Sequence, residues 1–478
     1  MQQFETVIGL EVHIQLNTNA KAFGPEKNEF SLEPNTHISP VTLALPGTLP
    51  VANKAHLEKA VKLGLAFGCH INEYCYFDRK NYFYPDLPKG YQITQDGRPI
   101  CVGGKITFPV EGGEKTIRIH HIHMEEDAGK SSHDQSDHYS LLDYNRAGTP
   151  LLELVTEPDF RSGQDVHDFI AYLQKVVQYL EVSDGNMEEG SIRCDCNVSV
   201  RPMGQEAYGE RREVKNVNSK KFAKAAVEFE SQAQIKMIEK GERIYKTTML
   251  FDPENGETRP MRKKETENDY RYFPEPDLAP IKITQQQIEA IRATIDHLPE
   301  TLAKELSEEH HVPEQYLEVL TEQKSFGQQY LALSKKIGGS RELSDLVVLK
   351  LLPEAKAKNI SLEEVLSADT VKAVIDLINS GKAAKSAVFQ SLIPALFEQS
   401  NASVIDLAAD LNLIKSENQD FVDEIIAKVM SAFPDKVKEY KSGKKGLIGF
   451  FVGQVQRESG GKADPKLVNE KLAKVLNG

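Results

Sequence analysis

The sequence contains no phosphate loop of the form G-x-x-x-x-G-K-[ST] and no G-x-G-x-x-G placed after a strand. Any nucleotide chemistry must therefore rest on metal-bound carboxylates and basic side chains. No glycine- and serine-rich stretch supplies a Ser-Ser-Lys nucleophile system, since Gly338-Gly339-Ser340 lies within helical texture, and no cysteine sits in a glutaminase motif. The five cysteines, Cys69, Cys75, Cys101, Cys194 and Cys196, form no C-x-x-C pair, which argues against a structural zinc site or a disulfide scaffold. Cys194 and Cys196 stand among apolar neighbours and read as buried strand residues. No apolar run reaches bilayer length: Gly446 to Val455 is short and broken by Gly449 and Gly453. The segment Met1-Gln2-Gln3-Phe4-Glu5 has no basic stretch leading into an apolar one, so no secretory signal is expected and the cytoplasm is the expected compartment.

What is present is an ordinary globular composition, 40% apolar and 27% charged over 478 residues, long enough for two to four domains. The formal charge of −13 excludes a surface uniformly coated for nucleic acid. The charge is uneven, however. From Lys436 to Gly478 ten basic residues stand against four acidic ones, a local surface able to meet phosphates or simply a solvated lysine-rich one. Residues up to about 293 alternate with period two between turn clusters such as Glu111-Gly112-Gly113-Glu114, which predicts a β-rich domain. Helices are expected there only over Asp165 to Leu180 and Lys220 to Lys240. After Leu298-Pro299 amphipathic patterns such as Ser361 to Ile378 and Phe421 to Met430 predict helices throughout, with a second boundary near 405, where Asn401-Ala402-Ser403 opens a new helix. The fold class is α+β, divided 1–293, 294–405 and 406–478.

Three segments carry chemistry. In Val7 to Leu16, a strand places Gly9, Glu11, His13 and Gln15 on one face and Ile8, Leu10, Val12, Ile14 and Leu16 on the other. A carboxylate and an imidazole two residues apart then point the same way, which suits joint metal ligation as well as plain exposure to water. The run Glu125-Glu126-Asp127 offers hard oxygen ligands, or an acidic turn. In Met187 to Val200 the alternation sets Ser191, Arg193, Asp195, Asn197 and Ser199 on one face, a polar wall for a cleft or for solvent. Two aromatic-basic loops, Asp78 to Gln92 and Asp269 to Asp277, bear flat rings beside cations, which can stack a base and hold its phosphate or can pack on the protein's own core.

These segments, with Leu45 to Val51, Asn145 to Leu151, Glu213 to Ser219 and Gly449 to Gln454 in the same order, resemble the GatB family of glutamyl/aspartyl-tRNA amidotransferase subunits over almost the whole chain. The resemblance implies a cradle-like β-rich catalytic domain, a helical domain and a small helical tail similar to YqeY proteins that contacts tRNA. It implies a ligase that uses ATP to phosphorylate the side-chain carboxylate of misacylated Glu-tRNA(Gln) or Asp-tRNA(Asn) and then amidates it. The ammonia would come from a GatA-type amidase subunit, with a GatC-type subunit completing a heterotrimer. Carried onto this chain, Glu11, His13 and one of Glu125 and Glu126, with Glu126 preferred, match the metal-bearing site. Glu189, Ser191, Arg193 and Asp195 are weaker candidates for the same cleft. Arg79, Lys80, Tyr82 and Lys89 are candidates for the aminoacylated 3′ end, and Lys444 and Lys445 for distant tRNA contacts. Magnesium is the expected ion, manganese stays open because of the histidine, and zinc is not expected. An archaeal-type relative acting on Glu-tRNA(Gln) alone is disfavoured by the direct passage from Leu278-Ala279-Pro280 into helices.

Overall fold

The computed structural model describes residues 3–133, 138–261, 270–400, 402–414, 419–460, 463 and 465–477. Met1, Gln2, Asp269, Asn401, Lys462, Asp464 and Gly478, on which the sequence expectations drew, lie outside the described residues. Two compact units follow one another, Met1–Glu300 and Thr301–Gly478.

The first unit is organised by a 10-stranded sheet. Its central strand, Phe4–Gln15, is flanked by Pro150–Thr156 and Ile192–Pro202, both antiparallel. Beyond Pro150–Thr156 lies Gly113–Glu126, and beyond Ile192–Pro202 lie Arg212–Val217, Thr247–Asp252 and Glu257–Pro260. Arg212–Val217 and Thr247–Asp252 run parallel, which requires a crossover, and the helix Lys220–Glu239 provides it. The alternation read from the central strand holds: Ile8, Leu10, Val12 and Ile14 are buried, and Gly9, Glu11, His13 and Gln15 are half-buried on the opposite face.

The apolar face packs on three helices, Lys54–Ala66, Gly163–Tyr179 and Lys220–Glu239, in one core that includes Leu152, Leu154, Val198, Phe169, Leu173 and Val227. Each such side chain contributes about 1.5–3 kcal/mol of burial. Cys194 and Cys196 belong to this core as free thiols, as their apolar surroundings predicted. The helix Lys54–Ala66 was not expected; of the two that were, one begins at Gly163 rather than Asp165 and the other at Lys220 as expected, with Ser162 and Ser219 capping their N-termini through Asp165 N and Phe222 N. They approach so closely that a Cβ on Gly163 would stand 2.6 Å from Lys224 O.

Asp78–Asn81 pairs with both Tyr91–Thr94 and Phe273–Pro274, which brings the two aromatic-basic loops into one small sheet. The segment between Leu16 and Asn53 has little regular structure. It is held by Lys21, only 1% exposed, whose ammonium donates to the carbonyls of His37 (2.7 Å), Ala147 (2.6 Å) and Tyr144 (3.3 Å).

The second unit is helical. The expected helix Ser361 to Ile378 is two helices, Leu362–Val365 and Ala368–Asn379. Leu366 is extended between them, and the Ser367 hydroxyl accepts Thr370 N at 3.2 Å, a cap that opens a new helix inside one continuous amphipathic pattern. Helices Gln419–Ala432, Pro434–Lys441, Ile448–Glu458 and Pro465–Asn477 surround a cluster of their own, with Val422, Ile426, Tyr440, Phe451, Val455 and Leu472 buried. Among the described residues no helix is long and apolar enough to cross a membrane.

Candidate functional site

The polar face of the sheet carries the site because strand register sets its charged residues side by side. His13 stands opposite Glu153 on one neighbouring strand and opposite Arg193 on the other. Glu153 in turn faces His123, and Glu11 faces Asp195. Above this face opens a cleft of about 460 Å³, lined among others by Lys80, Tyr82, Asp127, Arg193, Asp195 and Lys215.

Two groups of potential metal ligands share the cleft. In the first, His13 Nε2 lies 3.3 Å from Glu125 Oε1 and 3.4 Å from Glu153 Oε2. Burial would lower the imidazole, but the two carboxylates outweigh it and hold the His13 pKa up at about 10. Burial likewise opposes ionisation of Glu153, and His123 and His13 overcome it, bringing the carboxyl down to about 2. Glu125 is driven well below the usual range against its own burial by the same two imidazoles. The trio is thus two carboxylates converging on one imidazole. Glu125 Oε1 is buried and has no hydrogen bond of proper geometry. An orphaned buried oxygen beside an imidazole and a second carboxylate is a donor set that fits a divalent ion with oxygen preference and tolerance of one nitrogen.

In the second group, ligand atoms of Glu11, Asp195 and Glu213 lie within 4.8 Å of one another. Burial, then the neighbouring Glu153 charge, raises the Glu11 pKa, while Asn197 Nδ2 donates to its carboxylate at 2.9 Å and pulls the other way. Here a cation is already resident: the Lys215 ammonium binds Asp195 and lies 2.7 Å from Glu213. Burial works against that charge, yet Asp195 and Glu213 keep the Lys215 pKa raised. At the floor of the cleft Arg193 donates to Asp127 at 2.9 Å. Gln15 Nε2 also reaches Asp127, at 2.7 Å.

The residues singled out in the sequence divide accordingly. Glu11, His13, Glu125, Arg193, Asp195, Lys80 and Tyr82 all line the cleft. Glu126, preferred over Glu125 in the sequence, belongs to neither ligand group. Its carboxylate accepts from Lys89 Nζ through both oxygens and from Ile93 N at 2.9 Å. The pair Lys89–Glu126 instead borders a second cavity of about 20 Å³, which shares Asp127 with the cleft. Arg79 is held by Glu275 through two bonds of 2.7 and 2.9 Å and by Asp277 at 3.0 Å, and does not line the cleft. Glu189 is exposed in the turn before the strand, where Gly190 at φ +83° reverses the chain. Ser191 is buried, with its carbonyl accepting Gln15 N at 2.8 Å. In the tail, Lys444 pairs with Glu439 at 3.2 Å, and Lys445 bonds Asn477 at 2.8 Å over the Tyr440 ring; both lysines are exposed.

Glu153, Glu213, Lys215 and His123 were not identified as site residues from the sequence, and Asp127 only as a member of the acidic run Glu125-Glu126-Asp127. A lone acid within Leu151-Leu152-Glu153-Leu154-Val155 was the available signal for Glu153. The alternation Glu213-Val214-Lys215 was the signal for the lysine and its neighbour.

Residues 6–289 match the family described as the GatB/GatE catalytic domain, and residues 328–476 match the one described as the GatB domain. Over its full length the chain is similar to curated proteins named as the B subunit of aspartyl/glutamyl-tRNA(Asn/Gln) amidotransferase. It is 42% identical to that of Thermodesulfovibrio yellowstonii, covering 99% of both chains. It is 44% identical to that of Geotalea uraniireducens over 100% of both, and 44% identical to that of Leptospira biflexa over 98% of this chain and 97% of the relative.

Proposed function

The chain belongs to the GatB family, and from that premise we propose that it is the GatB-type subunit of an ATP-dependent aspartyl/glutamyl-tRNA amidotransferase, a ligase that forms the side-chain amide of misacylated Glu-tRNA(Gln), Asp-tRNA(Asn) or both. The reaction needs activation because a carboxylate would have to expel oxide. Transfer of the ATP γ-phosphoryl group to the side-chain carboxylate releases ADP and leaves an acyl phosphate. Ammonia then attacks the acyl carbon, phosphate departs, and one proton is given up.

The observation that carries this reading is the trio His13, Glu125 and Glu153, with its orphaned buried oxygen in a cleft walled by Lys80, Arg193 and Lys215. These three residues would hold the divalent ion, magnesium or manganese, which when bound neutralises phosphoryl oxygens. Arg193, oriented by Asp127, presents a fixed guanidinium to the same anions. Lys80 and Tyr82 flank the entrance used by the aminoacylated 3′ end. The Lys89–Glu126 pair and the cavity behind it suit the arrival of ammonia, since about 20 Å³ admits one molecule of water size. That ammonia is supplied by a GatA-type amidase with a GatC-type subunit completing the complex, in the cytoplasm. The helical tail from about residue 406, with exposed Lys444 and Lys445, contacts the tRNA; the preceding domain ends near 405 and the cradle near 293.

The test is co-expression with GatA-type and GatC-type subunits, followed by assay of both misacylated tRNAs with ATP and glutamine. The wild-type complex should form amide, while His13→Ala and Glu125→Ala complexes should hydrolyse glutamine and form none. Undiminished ATP-dependent amidation by those variants would leave a tRNA-binding scaffold as the better reading.

A further inference from the structure

Four tyrosines form a continuous chain of ring contacts beginning outside the cleft and passing through its wall. Tyr84 meets Tyr82 at 5.9 Å between centroids and 66° between planes. Tyr82 meets Tyr270 at 6.0 Å and 73°, and Tyr270 meets Tyr272 at 6.1 Å and 69°. Tyr82 lines the cleft. Both ends of the chain are wet: Tyr84 is 64% exposed and Tyr272 37%. A tyrosine chain that only filled a core would be dry at its ends. The two loops that supply the rings are tied together by Asn81, whose Nδ2 donates to Tyr270 O at 3.3 Å and Arg271 O at 2.8 Å. The order of the rings is therefore built into the backbone. Lys80 adds charge at the middle, with Nζ 5.1 Å from the Tyr270 centroid and 5.9 Å from that of Tyr82.

We infer that this row of tyrosines is a stacking rail for the unpaired 3′-terminal nucleotides of the RNA whose amino acid enters the cleft, with Lys80 meeting a backbone phosphate. The inference rests on the proposed function and adds to it the side chains that read the single strand. Proteins hold single strands with aromatic rings on which successive bases stack and with cations that track the backbone. Rings set edge to face do not consume both of their faces on one another, so flat surface remains for bases. A free nucleotide has one base and needs one ring; a row of four suits a strand. Two other nearby cations are less suited to the phosphate, since Arg79 is matched by Glu275 and Asp277, and Lys89 by Glu126.

Stacking needs the ring and not the hydroxyl, which sets the experiment. Tyr84→Leu and Tyr84→Phe are each prepared in the assembled complex, with assembly checked by size-exclusion chromatography. Two uncharged tRNAs, one intact and one trimmed of its unpaired 3′ nucleotides, are compared as competitors of the aminoacylated substrate. The wild-type and Tyr84→Phe complexes should prefer the intact RNA by roughly 5- to 100-fold, the range expected for a stacked base. Tyr84→Leu should narrow that preference by about fivefold or more, with the KM for ATP unchanged. An undiminished preference in Tyr84→Leu overturns the rail. So does a raised KM for ATP with the RNA preference intact, which would assign the ring to the adenine of the free nucleotide. A wild-type complex that amidates no misacylated tRNA would instead overturn the proposed function, so the two failures are distinguishable.

Discussion

Removing the Lys215 ammonium should turn its carboxylate neighbours from a lysine site into a metal site. Lys215 binds Asp195 and lies 2.7 Å from Glu213, and both belong to the carboxylate group that includes Glu11. Breaking one partner out of a fully buried ion pair costs about 3–5 kcal/mol. The Lys215 side chain is 26% exposed, so water screens part of that charge, and about 2–3 kcal/mol is the expected loss for Lys215→Met. In a unit spanning Met1–Glu300 a loss of that size lowers the melting temperature by about 3–5 °C. A divalent ion present at a hundred times its Kd returns about 2.7 kcal/mol, close to the whole deficit. Scanning calorimetry of the assembled complexes, first in chelator and then in rising magnesium, measures both quantities. The variant should melt below wild type in chelator and converge on it as magnesium rises. The double variant Lys215→Met with Asp195→Asn should lie nearer wild type in chelator, because removing both partners leaves less charge unmatched. Equal melting of Lys215→Met and wild type in chelator would refute the reasoning, as would an identical magnesium response in the two.

Glu153→Gln removes one of the two carboxylates that share His13, and manganese affinity followed by electron paramagnetic resonance should fall by at least the roughly 10–100-fold that loss of an outer partner causes; unchanged affinity would exclude Glu153 as a ligand. His56 is fully buried, its Nδ1 has no partner, and burial lowers its pKa to about 4 from an ordinary 6.5. The unfolded chain then takes up the proton first, so stability is present above pH 6.5 and is lost as pH falls toward 4, by up to about 3 kcal/mol. Urea unfolding of His56→Gln across that window should show a shallower pH dependence than wild type, and parallel curves would count against the assignment. Arg79→Lys gives up the paired bonds to Glu275 and should cost about 1–2 kcal/mol of stability while leaving the KM for tRNA within twofold or so; a large KM change without destabilisation would return Arg79 to the substrate.

Much of the site was legible because strand alternation is a strong local signal. Glu11 and His13 on one side of Phe4–Gln15, and Arg193, Asp195 and Asn197 on one side of Ile192–Pro202, follow from period two alone. The choice between Glu125 and Glu126 did not follow. Along Gly113–Glu126 the buried apolar residues are Ile117 and Ile119 and then Ile122 and Met124, so the phase changes from odd to even. The pairing slips between Val155 and Thr156, where Ile119 and His121 face consecutive residues. A bulge of that kind is fixed by the partner strand, which a reading of one segment does not contain. Both acids are 2% exposed, so burial did not separate them either. Glu189 was misleading for a related reason: the strand pattern was extended back through Gly190, whereas the positive φ there ends it. Glu153, Lys215 and His123 gain their meaning only from neighbours far along the chain, which is why the cleft was visible in part and its chemistry incompletely.

Lys21 gives the first unit an unusual dependence. Three peptide oxygens from two distant stretches converge on one ammonium, which ties the strap around His37 to the turn from Tyr144 to Ala147 alongside the bonds that Asn145 Oδ1 accepts from Thr36 N and His37 N. A neutral or shorter side chain would strand the buried Ala147 carbonyl without its donor and loosen both stretches at once. Since Ala147 and Lys21 both wall the small chamber beside Glu126, the same ammonium that gathers these carbonyls also shapes part of that chamber's wall.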